Sequence, residues 1–133
     1  MHEAKDKKSE SKSVDYRIAL VGNPNVGKSV LFGLFTGKYV TVSNYPGTTV
    51  EVTRGMYAGS NDTIEVVDTP GANSLISHSE DERVARDILL RDEEKRVLQI
   101  LDAKNIHRGL LITTQLAEMG LPISIGLICG TRH

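Results

Sequence analysis

The chain has 133 residues, of which 39% are hydrophobic and 25% charged, proportions typical of one globular domain with a single core. Sixteen basic residues nearly balance seventeen acidic ones, so the net charge of −1 provides no global attraction to nucleic acid or to an anionic membrane surface. The single cysteine, Cys129, excludes an internal disulfide, and the four histidines lack metal-ligand spacing. The longest apolar stretch, residues 121–129, is about half the ~20 residues of a membrane-spanning helix. These features predict a cytoplasmic domain that neither binds nucleic acid nor inserts directly into a membrane.

Residues 1–15 differ from the rest of the chain in composition. They hold four lysines, four acids and almost nothing apolar, so burial cannot offset the entropy lost on ordering. We therefore predict a disordered polar tail, followed by one domain over residues 16–133.

The domain begins with a strand pattern followed by a helix pattern. Residues 16–21 predict a buried strand, and the apolar spacing within residues 28–36 predicts a helix. Residues 49–57 and 63–67 then predict two strands, which the turn-forming residues 59–62 join into an antiparallel hairpin.

Four more elements complete the pattern. They are a helix over residues 81–90, a strand over 97–101, a helix over 106–119 and a strand over 122–128. The alternation predicts an α/β fold with a mostly parallel sheet and one antiparallel hairpin strand. The expected order is the hairpin at one edge, then the first strand, then the later strands, with a ligand at the carboxyl ends.

A glycine-rich loop joins the first strand to the first helix. It matches the G-x-x-x-x-G-K-[ST] pattern through Gly22, Asn23, Pro24, Asn25, Val26, Gly27, Lys28 and Ser29. In such a loop, backbone N–H groups and the helix N-terminus surround a phosphate chain. Lys28 then reaches the β- and γ-phosphates, and the Ser29 hydroxyl can ligate Mg²⁺. The loop predicts a nucleotide site but does not separate ATP from GTP.

A second phosphate-side segment follows the strand over residues 63–67. It consists of Asp68, Thr69, Pro70 and Gly71. Because the strand ends beside the glycine-rich loop, Asp68 can hold Mg²⁺ through water and the Gly71 N–H can meet a γ-phosphate.

Residues 44–51 form a third candidate segment, a turn-rich loop that leads into a strand. The loop contains Gly47, Thr48 and Thr49, and it has the character of a nucleotide-sensing switch. We favour Thr49 over Thr48 as the residue that closes the Mg²⁺ shell. The alternative is that the two threonines are only a solvent-exposed entry to the strand.

Taken together, the segments G-N-P-N-V-G-K-S, N-Y-P-G-T-T-V-E, D-T-P-G-A-N-S-L and D-E-R-V-A-R-D resemble the N-terminal G domain of ferrous iron transport protein B. The similarity runs from about residue 16 to residue 127. It implies a Ras-like P-loop NTPase fold that binds GTP or GDP with Mg²⁺ and hydrolyses GTP slowly to regulate Fe²⁺ uptake. It also implies a position at the cytoplasmic face of the bacterial inner membrane, with the membrane permease portion of the same transporter as partner.

The resemblance further implies roles in catalysis for Lys28, Asn25, Thr49 and Gly71. Asn25 occupies the position that helps to hold an activating K⁺ beside the phosphates, where a cation neutralises charge in the transition state. Ala72 follows Gly71 and has no side-chain amide to orient a water molecule. We therefore expect slow hydrolysis that depends on backbone groups, on K⁺ or on a partner.

The last residues depart from the family pattern. A guanine-specific domain should continue with Asn-x-x-Asp after residue 127, but residues 128–133 read I-C-G-T-R-H. We expect a G domain that is incomplete at its C-terminus and binds GTP weakly, with little preference over ATP. Two alternatives stay open. One is a soluble P-loop GTPase of tRNA modification or ribosome assembly, and the other is a non-catalytic remnant.

Overall fold

The structure is a computed structural model that describes residues 14–37, 40–57, 59, 61–76, 78–91 and 93–129. The disordered tail was predicted over residues 1–15, and its first thirteen residues lie outside this part of the chain. So do Ser60 of the predicted hairpin turn and residues 130–133.

The described elements follow the predicted alternation of strands and helices. The strands are β1 Tyr16–Gly22, β2 Val40–Asn44, β3 Glu51–Met56, β4 Ile64–Asp68, β5 Arg96–Asp102 and β6 Ile123–Ile128. The helices are α1 Lys28–Thr36, α2 Glu80–Leu90 and α3 Leu110–Glu118, and a 3₁₀ helix, Ile106–Gly109, leads directly into α3. The α/β architecture is confirmed, and the predicted helix over residues 106–119 divides into a 3₁₀ turn and an α-helix.

One sheet carries all these strands, in the order β2-β3-β4-β1-β5-β6. β1 pairs in parallel with β4 and β5, and β5 pairs in parallel with β6. β3 runs antiparallel to both β2 and β4. The predicted mostly parallel sheet with one antiparallel hairpin strand is therefore confirmed, as is the order from the hairpin through β1 to β6, but the edge next to the hairpin is formed by β2 and not by the hairpin itself.

β2 is the strand that the sequence did not predict. All five of its residues are exposed and it pairs with β3 along one side. The predicted loop over residues 44–51 is consequently shorter, because Asn44 belongs to β2 and Glu51 to β3.

The two faces of the sheet are covered by different helices. Ala19 and Val21 of β1 point into a core shared with α2 and α3, whereas Leu20 packs on the opposite face with Phe32 of α1. This alternation follows from the period of two along a strand. Because β1, β4 and β5 are parallel, the loops after Gly22, Asp68 and Asp102 meet at one edge of the sheet.

Candidate nucleotide-binding site

The loop between β1 and α1 has the backbone shape of an anion cradle. Asn25 has φ 64° and Gly27 has φ 100°, both in the left-handed region. Gly27 is also the N-cap of α1 and has no side chain to satisfy the first N–H groups of the helix. Those groups and the helix dipole therefore favour a negatively charged ligand at this point.

Lys28 joins this loop to the segment after β4. Its side chain is largely buried, and Nζ donates to Asp68 Oδ1 at 2.5 Å and to the Thr69 carbonyl at 2.6 Å. Ser29 Oγ donates to Asp68 Oδ2 at 3.4 Å. The structure thus brings together three side chains that the sequence assigned to phosphate and Mg²⁺ binding.

The donor set of Ser29 and Asp68 fits Mg²⁺. A hydroxyl and a carboxylate are hard oxygen ligands, and Mg²⁺ in nucleotide sites uses one or two protein oxygens together with phosphates and water. The described residues hold no group of three His, Cys, Asp or Glu side chains that could bind a metal ion. His78 and His107 are both exposed.

Backbone contacts fix the Asp68–Gly71 segment against the glycine-rich loop. Thr69 is buried, and its Oγ1 donates to the Leu20 carbonyl at 2.6 Å. The Ala72 N–H donates to the Gly22 carbonyl at 3.0 Å. A Cβ at Gly71 would lie 2.9 Å from Pro24 Cα, so only glycine fits between the two backbones.

A cavity of about 580 Å³ opens beside these residues, within the range typical of small-molecule sites. It is lined by Asn23, Pro24, Asn25, Val26, Gly27, Lys28, Ser29, Val30, Gly71, Asp81, Asp102 and Ile128. Most of the predicted site residues therefore surround one space. Gly22, Asp68, Thr69 and Pro70 continue the same two segments next to the cavity.

The predicted switch loop is placed differently. Among the described residues, Gly47, Thr48 and Thr49 do not line the cavity. Thr48 Oγ1 donates to the Tyr45 carbonyl at 2.9 Å and accepts from the Val50 N–H at 3.0 Å. Thr49 is exposed, and its Oγ1 donates to Glu80 Oε1 at 3.4 Å. The Mg²⁺ role of Thr49 stays a prediction.

Besides Val30 of α1, sequence reasoning missed four residues near the cavity. Asp81, Asp102 and Ile128 line it, and Arg108 Nη2 donates to the Pro24 carbonyl at 3.0 Å. Asp102 had a usable signal, since it ends β5 as Asp68 ends β4 at the same edge of the sheet. Arg108 had none, because the 3₁₀ helix that carries it gave no motif.

Proteins of known family resemble this chain over most of its length. The sequence profile of the family described as Ferrous iron transport protein B matches residues 16–129. The chain belongs to this family. Among curated relatives of the ferrous iron transport protein B family, the Fe(2+) transporter FeoB of Methanocaldococcus jannaschii is 46% identical over 105 residues, which are 79% of this chain and 16% of that protein. FeoB of Salmonella typhimurium is 38% identical over 114 residues, covering 83% of this chain and 15% of that protein.

Solved structures of FeoB domains show the same fold. A mutant S. thermophilus NFeoB bound to GDP is 45% identical with a TM-score of 0.79, covering 84% of this chain and 44% of that one. The cytosolic domain of L. pneumophila FeoB is 37% identical with a TM-score of 0.78 and the same coverage. The chain thus spans less than half of these domains and about 16% of the full-length M. jannaschii transporter. Within the described residues, none of the helices has the length and apolar character needed to cross a membrane.

Proposed function

We propose that this chain binds a guanine nucleotide with Mg²⁺ and carries a slow, K⁺-stimulated GTPase activity that regulates ferrous iron uptake. The observation that carries the proposal is the contact of Lys28 and Ser29 with Asp68 beside a cavity of about 580 Å³. GDP-bound structures of FeoB G domains support guanine as the base.

Phosphate binding would exchange one set of charge contacts for another. The Lys28 ammonium, now bonded to Asp68 and the Thr69 carbonyl, would turn to the β- and γ-phosphates. That movement leaves the Asp68 carboxylate and the Ser29 hydroxyl as oxygen ligands for Mg²⁺. When bound, Mg²⁺ neutralises phosphate charge, so positive and negative charges in the site still compensate one another.

Hydrolysis would rest on backbone groups rather than on a side-chain base. The Gly71 N–H would meet the γ-phosphate, and Ala72 offers no amide to orient a water molecule. Asn25 lines the cavity with an exposed side chain, and its amide oxygen is a suitable ligand for K⁺. We therefore assign slow turnover to the chain and a K⁺-binding role to Asn25.

The proposed regulatory role is supported by the curated relatives, which are Fe(2+) transporters. In such a protein this domain would lie at the cytoplasmic face of the inner membrane, next to the permease portion. The same relationship argues against a soluble GTPase of tRNA modification or ribosome assembly.

A second candidate is a phosphate-binding remnant with little base selectivity. It is favoured by Ile128, whose apolar side chain lines the cavity at the end of β6, where Asn-x-x-Asp would begin. Ile128 Cδ1 would be 3.3 Å from a Cβ at Gly27, so it lies directly over the glycine-rich loop. An isoleucine offers the base no hydrogen bond, whereas a carboxylate on the guanine edge rejects adenine.

Calorimetric titration of the chain with GDP, GTP and ADP, each with Mg²⁺, tests both candidates. Both candidates require measurable binding that weakens without Mg²⁺; a clear preference for GDP over ADP supports the first, and a preference of less than about tenfold supports the second. Ser29→Ala should weaken the Mg²⁺ dependence. No binding of any nucleotide would contradict the proposed function. Sub-micromolar GDP binding with at least a hundredfold preference over ADP would show that base recognition does not need Asn-x-x-Asp.

A further inference from the structure

The side chain of Gln115 in α3 is directed at the segment that follows Gly71. Gln115 is only 7% exposed and uses both ends of its amide. Oε1 accepts from the Leu75 N–H at 2.7 Å, and Nε2 donates to Ser74 Oγ at 3.0 Å. Leu75 is itself buried in the core beneath α3. A buried amide that is bonded at both ends holds its partners in one arrangement, because leaving a polar group unpaired there is costly.

The other end of the same segment is held by the glycine-rich loop. Asn23 is 2% exposed, and its Nδ2 donates to the Ala72 carbonyl at 3.3 Å and to Asn73 Oδ1 at 3.2 Å. The Ala72 N–H also donates to the Gly22 carbonyl. Residues 72–75 therefore form a bridge between the phosphate side of the sheet and α3.

We propose that Gln115 is a positioning residue that holds residues 72–75 in the observed place and thereby sets the balance between triphosphate and diphosphate binding. This inference rests on the proposed function. Lys28 must release the Thr69 carbonyl to reach a γ-phosphate, and Gly71 must bring its N–H to the same group. The movement of Gly71 displaces a backbone that reaches Leu75 only four residues later. The bonds to Gln115 resist that displacement.

The direction of the effect follows from this resistance. A diphosphate has no γ-phosphate to draw Gly71, so it binds without straining the bonds to Gln115. A triphosphate gains its extra contact with Gly71 only by straining the bonds to Gln115. Loss of the Gln115 amide therefore strengthens triphosphate binding relative to diphosphate binding, since a ligand shifts an equilibrium only through its differential affinity.

The chain offers a matched control in Gln99, a second buried glutamine. Gln99 is 0% exposed, its Nε2 donates to the Gly109 carbonyl at 2.9 Å, and its Oε1 accepts from Thr113 Oγ1 at 2.6 Å. Its amide thus bonds the 3₁₀ helix and α3 instead of residues 72–75. Gln99→Leu removes a similar buried amide, so it reports the general cost of such a loss.

The test compares Gln115→Leu, Gln99→Leu and the wild-type chain. Calorimetry gives the affinities for the GTP analogue GMPPNP and for GDP, each with Mg²⁺, and hydrogen exchange follows the Leu75 amide. For Gln115→Leu we expect the GMPPNP-to-GDP affinity ratio to rise about three- to tenfold, the effect of one net hydrogen bond. The Leu75 amide should exchange faster. Gln99→Leu should leave the ratio unchanged.

An unchanged or lower ratio in Gln115→Leu, or the same rise in Gln99→Leu, overturns the inference. If Gln115→Leu fails to fold by circular dichroism, Ser74→Ala is the second test, because it removes the bond to Nε2, together with the local Ser74 Oγ contacts to Ile76, and keeps the bond from the Leu75 N–H to Gln115. Ser74→Ala should raise the ratio about twofold, and no rise would overturn the inference. A wild-type chain that binds neither nucleotide contradicts the proposed function as well. Binding of both nucleotides with an unchanged ratio in the variants contradicts only the role of Gln115.

Discussion

The glycine-rich loop and the loop over residues 45–50 are both assigned to one site, yet they are held in different ways. Lys28 is 7% exposed and bonds two groups of the segment after β4. The residues 45–50 mostly bond one another, through Thr48 Oγ1 and through the Tyr45 N–H to the Val50 carbonyl. Thr49 reaches the rest of the protein through a single 3.4 Å bond to Glu80.

The position of each loop in the sheet explains the difference. The glycine-rich loop follows β1, which has a strand on each side, and therefore begins from a buried backbone. The loop over residues 45–50 connects β3 to the exposed edge strand β2. Segments with few buried contacts open at low free-energy cost, and switching elements are drawn from them. The proposed binding loop is thus held by buried bonds of its charged side chain, whereas the proposed sensing loop is anchored at its ends by Val50 and Tyr45 and leaves Thr49 exposed.

Among the variants that test this contrast, Lys28→Ala has the largest expected effect. It removes a charge-assisted contact worth about 1.5–3 kcal/mol, so nucleotide affinity should fall roughly ten- to a hundredfold. Calorimetry with GDP and Mg²⁺ measures the loss. Arg86→Ala, which removes an exposed positive charge on α2, is the control and should leave the affinity unchanged. Equal nucleotide affinities for Lys28→Ala and the wild type would show that Lys28 does not contribute to nucleotide binding.

Thr49→Ala and Thr48→Ala separate sensing from loop structure. Thr49 is exposed, so its loss should change the free energy of unfolding by less than about 0.5 kcal/mol. If Thr49 completes the Mg²⁺ shell, GTP hydrolysis should fall at least about tenfold.

Thr48→Ala should show the reverse pattern. It removes both bonds of Oγ1 within the loop and should cost about 1 kcal/mol in urea denaturation, with a smaller effect on hydrolysis. A greater loss of hydrolysis in Thr48→Ala than in Thr49→Ala would indicate that Thr48, and not Thr49, completes the Mg²⁺ shell.

Asn25→Ala provides the smallest expected effect and tests the cavity itself. Hydrolysis by the wild-type chain should be faster in K⁺ than in Na⁺ at matched ionic strength, because Asn25 offers an amide oxygen beside the phosphates. The variant should hydrolyse GTP at the same rate in both salts. Phosphate-release assays measure the rates. Equal rates already in the wild type would contradict a K⁺ site at Asn25.

The sequence predicted the strand and helix around the glycine-rich loop well, because strong local signals coincide there. The apolar run into Gly22 and the helical spacing after Lys28 gave β1 to within one residue and α1 with its observed bounds. The loop motif named Lys28 and Ser29 and the segment after β4 named Asp68, and the structure brings these three residues into contact.

β2 was missed for the opposite reason. It has no buried side chain, so no residue of it contributes to a core pattern, and among the described residues it is placed by its pairing with β3. Gln115 was missed although it lies in a predicted helix. Its importance depends on the position of Leu75, forty residues away in the chain, and a local pattern carries no information about that contact.

The close approach of Gly71 to Pro24 has a mechanical consequence. Where a methyl group would lie 2.9 Å from Pro24 Cα, the two backbones have no flexible side chain between them. Proline also limits rotation on its own side of the contact. A displacement of one backbone is therefore transmitted to the other without a change of side-chain rotamer to absorb it. The contact between Gly71 and Pro24 is therefore stiff, because only rotation about main-chain bonds can change it.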